Sequence, residues 1–79
     1  MDKEKRLMRR ACTFNEKLNL NHGVISAYII LGMKEVHLKH GKFFEMFDKF
    51  EMAEYGDEYN KVFVKDGDTE FFALIEREV

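Results

Sequence analysis

The sequence predicts an α+β fold, mainly α, with three helices around a buried central helix plus a C-terminal β-hairpin, in a single small domain spanning residues 1–79. Three observations lead there. The run from Val24 to Met33 is the longest apolar stretch, and Val36 and Leu38 carry it on with no proline or turn cluster before Gly41, which is long for a strand. Apolar residues recur at helical spacing on both sides of it. Near the C-terminus, Asp66-Gly67 separates two β-prone runs, the signal of a hairpin.

The first element is a helix over 2–18, with Leu7, Ala11, Phe14 and Leu18 at the i, i+4, i+7, i+11 spacing of a single buried stripe. Lys3, Arg6, Arg10, Thr13 and Lys17 recur beside that stripe, so a cationic ridge lies along one flank. Cys12 falls off the stripe near Met8 and reads as a small hydrophobe, because no His or Lys is locally paired with it to activate a thiolate. Asn15, Asn19, Asn21 and Gly23 are turn and cap formers and mark the first boundary.

The central helix is placed over 22–40, with Asn21 as N-cap and Gly41 as the residue that ends it. At about 100° per residue, Val24, Tyr28, Leu31 and Leu38 share one face and Ile25, Ile29, Gly32, Met33 and Val36 a second. Only Ser26, Ile30, Lys34 and His37 are left for water, so Ile29 belongs at the centre of the core. The β-branched and aromatic content of this run suits a buried strand as well, but its length favours a helix. A third helix over 42–55 carries the stripe Phe43, Met46, Phe47, Phe50 and Ala53. Phe44, Met52 and Tyr55 fall outside it, on the flank of Asp48 and Glu51. The hairpin over 60–75 turns at Asp66-Gly67 in a type I′ turn; a short helix over 70–78, capped by Asp68 or Thr69, competes with its second strand.

With 46% hydrophobic and 35% charged residues the chain is globular. Its net charge of −2 hides a segregation: residues 1–44 hold nine Lys or Arg against four Asp or Glu, and residues 45–79 hold four against eleven. Such halves can attract each other across the fold or present one sign to a partner. No cofactor or metal is expected. His37 and His40 have metal-like spacing without further ligands, Ser26 sits in no nucleophile elbow, and Asp66-Gly67-Asp68 lacks the downstream ligands of a calcium loop.

The function expected is therefore that of a non-enzymatic protein-binding regulator, inhibitor or adaptor. A short, Lys- and Glu-rich chain without proline is common among accessory proteins of bacteria and their phages. The residues left over once the core stripes are assigned, Arg6, Arg10, Lys17, Phe44 and Tyr55, are the expected partner-binding residues, Arg and aromatic side chains being frequent interface anchors. The alternative is a nucleic-acid-binding module using Lys3, Arg6, Arg9, Arg10 and Lys17 on phosphates. A central segment apolar on nearly all sides also predicts a homodimer. The apolar run is about half the roughly 20 residues that span a bilayer, no signal-peptide pattern opens the sequence, and the lone Cys12 cannot pair internally. A cytoplasmic protein with no membrane segment is expected.

Overall fold

In the computed structural model, which describes residues 2–14 and 23–77, the protein is mainly β. The elements are α1 (Asp2–Phe14), β1 (Val24–Ile30), β2 (Met33–Leu38), α2 (His40–Met46), β3 (Glu51–Tyr55), β4 (Tyr59–Asp66) and β5 (Thr69–Glu76). The strands form one mixed sheet in the order β1-β2-β5-β4-β3. All neighbours are antiparallel except β2 and β5, which pair in parallel from Lys34–Thr69 to His37–Phe72. This overturns the mainly α fold with three helices: among the described residues two helices, not three, accompany five strands.

The segment expected as a central helix is the β1–β2 hairpin. Its β-branched content was the informative feature, and its apparent continuity conceals a two-residue turn. Leu31 and Gly32 both have positive φ, 50° and 81°, as a type I′ turn requires. Leucine is sterically disfavoured there, so the residue that makes the turn does not advertise it. A bulge between Val24 and Ser26 makes Ile25 the extra residue of β1. Asn21 and the other proposed residues of the first boundary lie outside the described residues, apart from Gly23. Gly23 has φ 74°, and a Cβ there would fall 2.5 Å from the Cβ of Lys42, so only glycine lets the chain enter β1 beneath α2.

The helix expected over 42–55 is present only as α2, which ends when Phe47 turns extended at φ −129°. From Glu51 the chain is strand β3. Residues 60–75 do pair with each other, but at the centre of the sheet, and their turn is displaced by one residue. Asp66 faces Thr69, and Gly67 carries a positive φ while Asp68 does not, the pattern of a type II′ turn with glycine first.

Both helices cover one face of the sheet. Met8 and Cys12 of α1, Phe43, Met46 and Phe47 around α2, and Val24, Val36, Leu38, Val62, Phe71 and Ala73 of the sheet form one core. The α1 stripe is therefore rotated from that expected: Met8, Ala11 and Cys12 are buried, while Leu7 is 41% exposed. Burial raises the Cys12 thiol above its ordinary pKa, and the sulfur points at the Glu35 carbonyl, 3.7 Å away. An inert thiol results.

Among the described residues no helix covers the other face, and side chains of the sheet pack on one another there. Phe72 stacks on His37 with centroids 4.6 Å apart. The Lys61 ammonium lies 4.9 Å from the Phe72 centroid and 5.4 Å from that of Phe63, and pairs with Glu70 at 2.8 Å. Phe72 is consequently only 5% exposed on the sheet face opposite the two helices. Burial also lowers the pKa of His37.

Candidate functional site

Two basic residues of α1 outside the expected ridge, Lys5 and Arg9, turn towards the sheet. Lys5 and Arg9 reach the carboxylate of Asp66 at 3.4 and 3.0 Å. Arg9 also donates from Nε to the Thr69 hydroxyl at 3.0 Å and from Nη2 to the Asp66 carbonyl at 3.3 Å. The Thr69 hydroxyl in turn donates to Asp68, whose carboxylate is held below its ordinary pKa by Lys34 and then by Thr69. Basic N-terminal and acidic C-terminal residues thus meet at the β4–β5 turn, and part of the charge segregation is spent within the fold. Arg6 and Arg10 are exposed. Lys17 lies outside the described residues.

The aromatic candidates are separated. Phe44, 41% exposed, lies against Phe43 and Phe50 with ring centroids 5.6 and 5.3 Å away, and Phe50 contacts Phe43 at 5.7 Å. Phe44 projects from α2 because it follows the buried Phe43, and Phe50 arrives from the loop that leads into β3. Met52, exposed on the helix side of β3, extends this aromatic patch. Glu45 and Asp48 lie between Phe44 and Phe50 in the chain and Glu54 shares the helix side of β3 with Met52, all three exposed, whereas Glu51 stands on the opposite face with Phe63. A shallow groove of about 350 Å³, lined by Lys49, Phe50, Glu51, Phe63, Val64 and Lys65, opens beside it.

Tyr55 lies elsewhere, at the far end of β3 opposite Tyr59 and on the sheet face opposite the two helices. Its electrostatic counterpart is Tyr28 of β1. The Tyr28 phenol is pushed up by burial first, then by Glu35 and by Tyr55. Two tyrosines from opposite edge strands therefore share one face of the sheet. The structure does not bring Arg6, Arg10, Phe44 and Tyr55 into one patch.

A second apolar surface escaped the sequence reading. Ile25, Tyr28, Ile29, Ile30 and Leu31 are 52, 37, 48, 44 and 101% exposed along β1 and its turn. Ile29, expected at the centre of the core, is on an edge strand. The high β-branched content could have pointed to an edge strand, had the Leu31-Gly32 turn been recognisable. No family model matches the chain, and neither a curated protein nor a solved structure matches it.

Proposed function

We propose that the protein is a non-enzymatic binding module that acts as a regulator, inhibitor or adaptor, and that Phe44, Phe50 and Met52 dock a partner protein. The supporting observation is an exposed aromatic and thioether patch, with the exposed carboxylates Glu45, Asp48 and Glu54 on the elements that carry it, on a protein whose core holds Phe43, Phe47 and Phe71 without them. Phe and Met are enriched at the centres of interfaces and charged residues at their rims. The acidic rim suits a partner surface carrying Lys or Arg, with the charges acting mainly on association rate. Nucleic acid is less well served, because Arg9, one of the five residues that reading uses, is engaged with Asp66 and Thr69.

The test is affinity capture with the wild-type chain and with a Phe44→Ala, Met52→Ala double variant, in nuclease-treated lysate at low and moderate salt. A protein retained by the wild type and lost by the folded double variant supports the reading. Equal capture by both, or capture abolished by nuclease alone, overturns it.

A further inference from the structure

We infer that β1 is a self-pairing edge, and that two copies of the chain join antiparallel through β1 to continue the five-stranded sheet into a ten-stranded one. This inference is independent of the proposed docking patch, which lies towards the opposite edge. The two edges differ in the property that governs edge pairing. An unprotected edge strand presents unpaired amides and carbonyls, and proteins block such edges with charges or proline. β3 is blocked: Glu51 and Glu54 occupy two of its five positions. β1, Val-Ile-Ser-Ala-Tyr-Ile-Ile, has no charged residue and no proline.

The turn sets the direction of the free groups. In a two-residue hairpin the residues flanking the turn form a hydrogen-bonded pair, and the pattern alternates from there. Ile30, Tyr28 and Ser26 therefore direct their amides at Met33, Glu35 and His37 of β2, their register partners. Ala27 and Ile29 direct theirs outward. The bulge at Ile25 lies at the other end, so 26–30 is the undisturbed part of the edge.

Antiparallel pairing of this part about a two-fold axis at Tyr28 places Tyr28 opposite its own copy, Ala27 opposite Ile29, and Ser26 opposite Ile30. Each small residue then meets a large one, on both faces, with no charges opposed. The strand is complementary in size to itself, which a foreign strand would match only by coincidence of sequence. Pairing of β1 with β3 of another copy would put Glu51 or Glu54 beside isoleucines, and such head-to-tail contact does not close. The flank of α1 agrees. Lys5 and Arg9 fix one side of the helix over the β4–β5 turn. Leu7, on the opposite side by helical rotation, is left exposed above β1. An apolar residue thus stands on the side to which the second copy would attach.

A contact of this size is at the small end of stable interfaces, so dissociation in the micromolar range is the expected result for the full chain in analytical ultracentrifugation. The mass should rise from 9.4 kDa towards twice that value as concentration increases. Ile29→Lys, at a half-exposed position opposite Ala27, should weaken the dimer at least about tenfold by setting a charge in an apolar contact. It should do so while the chain keeps its circular dichroism spectrum. Amide hydrogen exchange of the wild type supplies a measurement that needs no variant. Ala27 and Ile29 should exchange fast in dilute solution and slowly in concentrated solution, whereas Tyr28 stays protected in both. A mass of 9.4 kDa at every concentration overturns the inference, as does a dimer whose Ala27 and Ile29 amides are insensitive to concentration. A dimer untouched by Ile29→Lys in a folded chain overturns it too.

Discussion

Two of the hairpins, β1–β2 and β4–β5, are built alike and used differently. Each joins its strands with a two-residue turn, yet β4–β5 lies at the centre of the sheet and has its tip tied down by Lys5, Arg9 and Lys34. β1–β2 reaches the edge and ends in a bare Leu31. The difference shows where this small domain concentrates its stability: in residues paired on both strand sides and covered by helices. The same chemistry at the edge, Ile and Tyr in extended backbone, adds much less.

The sharpest way to break this comparison is to truncate one large apolar residue in each hairpin. Phe71→Ala removes a ring that is 0% exposed beneath Phe47 and should cost about 3–5 kcal/mol, a large share of the stability of so small a domain. Ile29→Ala, at a half-exposed edge position, should cost about 1 kcal/mol or less. Urea unfolding of both variants measures this directly, and equal losses would mean that β1 is as buried as β5.

Arg9→Ala should come next. It removes hydrogen bonds to Thr69 and to the Asp66 carbonyl and leaves a buried hydroxyl with one partner fewer, for an expected loss of about 1–2 kcal/mol. The ion pair with Asp66 adds little to this, since both side chains are substantially exposed. If high salt reproduced the whole loss in the wild type, Coulomb attraction and not hydrogen bonding would be what holds α1 to the turn.

Leu31→Asn should move the melting temperature the other way. Asn tolerates a φ of 50° at a type I′ position where Leu is strained, so a gain of about 1 kcal/mol is expected. A loss would show that Leu31 makes contacts within the fold, at odds with its full exposure.

The smallest effect belongs to His37. Its pKa in the folded protein is lowered by burial below the ordinary 6.5, so as the pH falls the unfolded chain takes up the proton first. The contribution is intact above about pH 6.5 and declines as the pH falls from there towards the folded value. Thermal melts from neutral pH to about pH 5 should show a steeper fall for the wild type than for His37→Gln. Parallel curves would mean that the Phe72 stack leaves the imidazole as well hydrated as in the unfolded chain.

Some of this was legible in the residues. The N-terminal helix was visible in its spacing, although its buried stripe was rotated, because Met8 and Cys12 are less obviously apolar than Leu7. Residues 60–75 were legible as a hairpin because Asp-Gly is turn chemistry. The central run was misread for the opposite reason: a Leu-Gly turn looks like continued apolar sequence, so two strands appeared as one long helix. The third helix was overextended because Phe50 and Ala53 happen to continue the α2 stripe, while the break at Phe47 is imposed by the sheet. The exposure of Phe44 was legible because it follows Phe43 off the buried stripe Phe43, Met46 and Phe47. The β1 edge could not, since its exposure depends on strand order, and strand order depends on a parallel pairing between distant residues.

That parallel pairing also bears on how the chain reaches its fold. β1–β2, β3–β4 and β4–β5 close short loops and can form locally, whereas β2 meets β5 across some 35 residues of sequence, through four register pairs from Lys34–Thr69 to His37–Phe72. This seam is where the two halves of the sheet join, so loop-closure entropy must be overcome before its contacts give any return. The seam is the rate-limiting event expected for folding. Val36 and Phe71, register partners within it, should then show slowed refolding when conservatively truncated, whereas a change at Tyr55 or Met52 should act almost wholly on unfolding. Two halves that each assemble quickly but wait on one narrow junction would spend their waiting time with the inner edges of β2 and β5 unpaired.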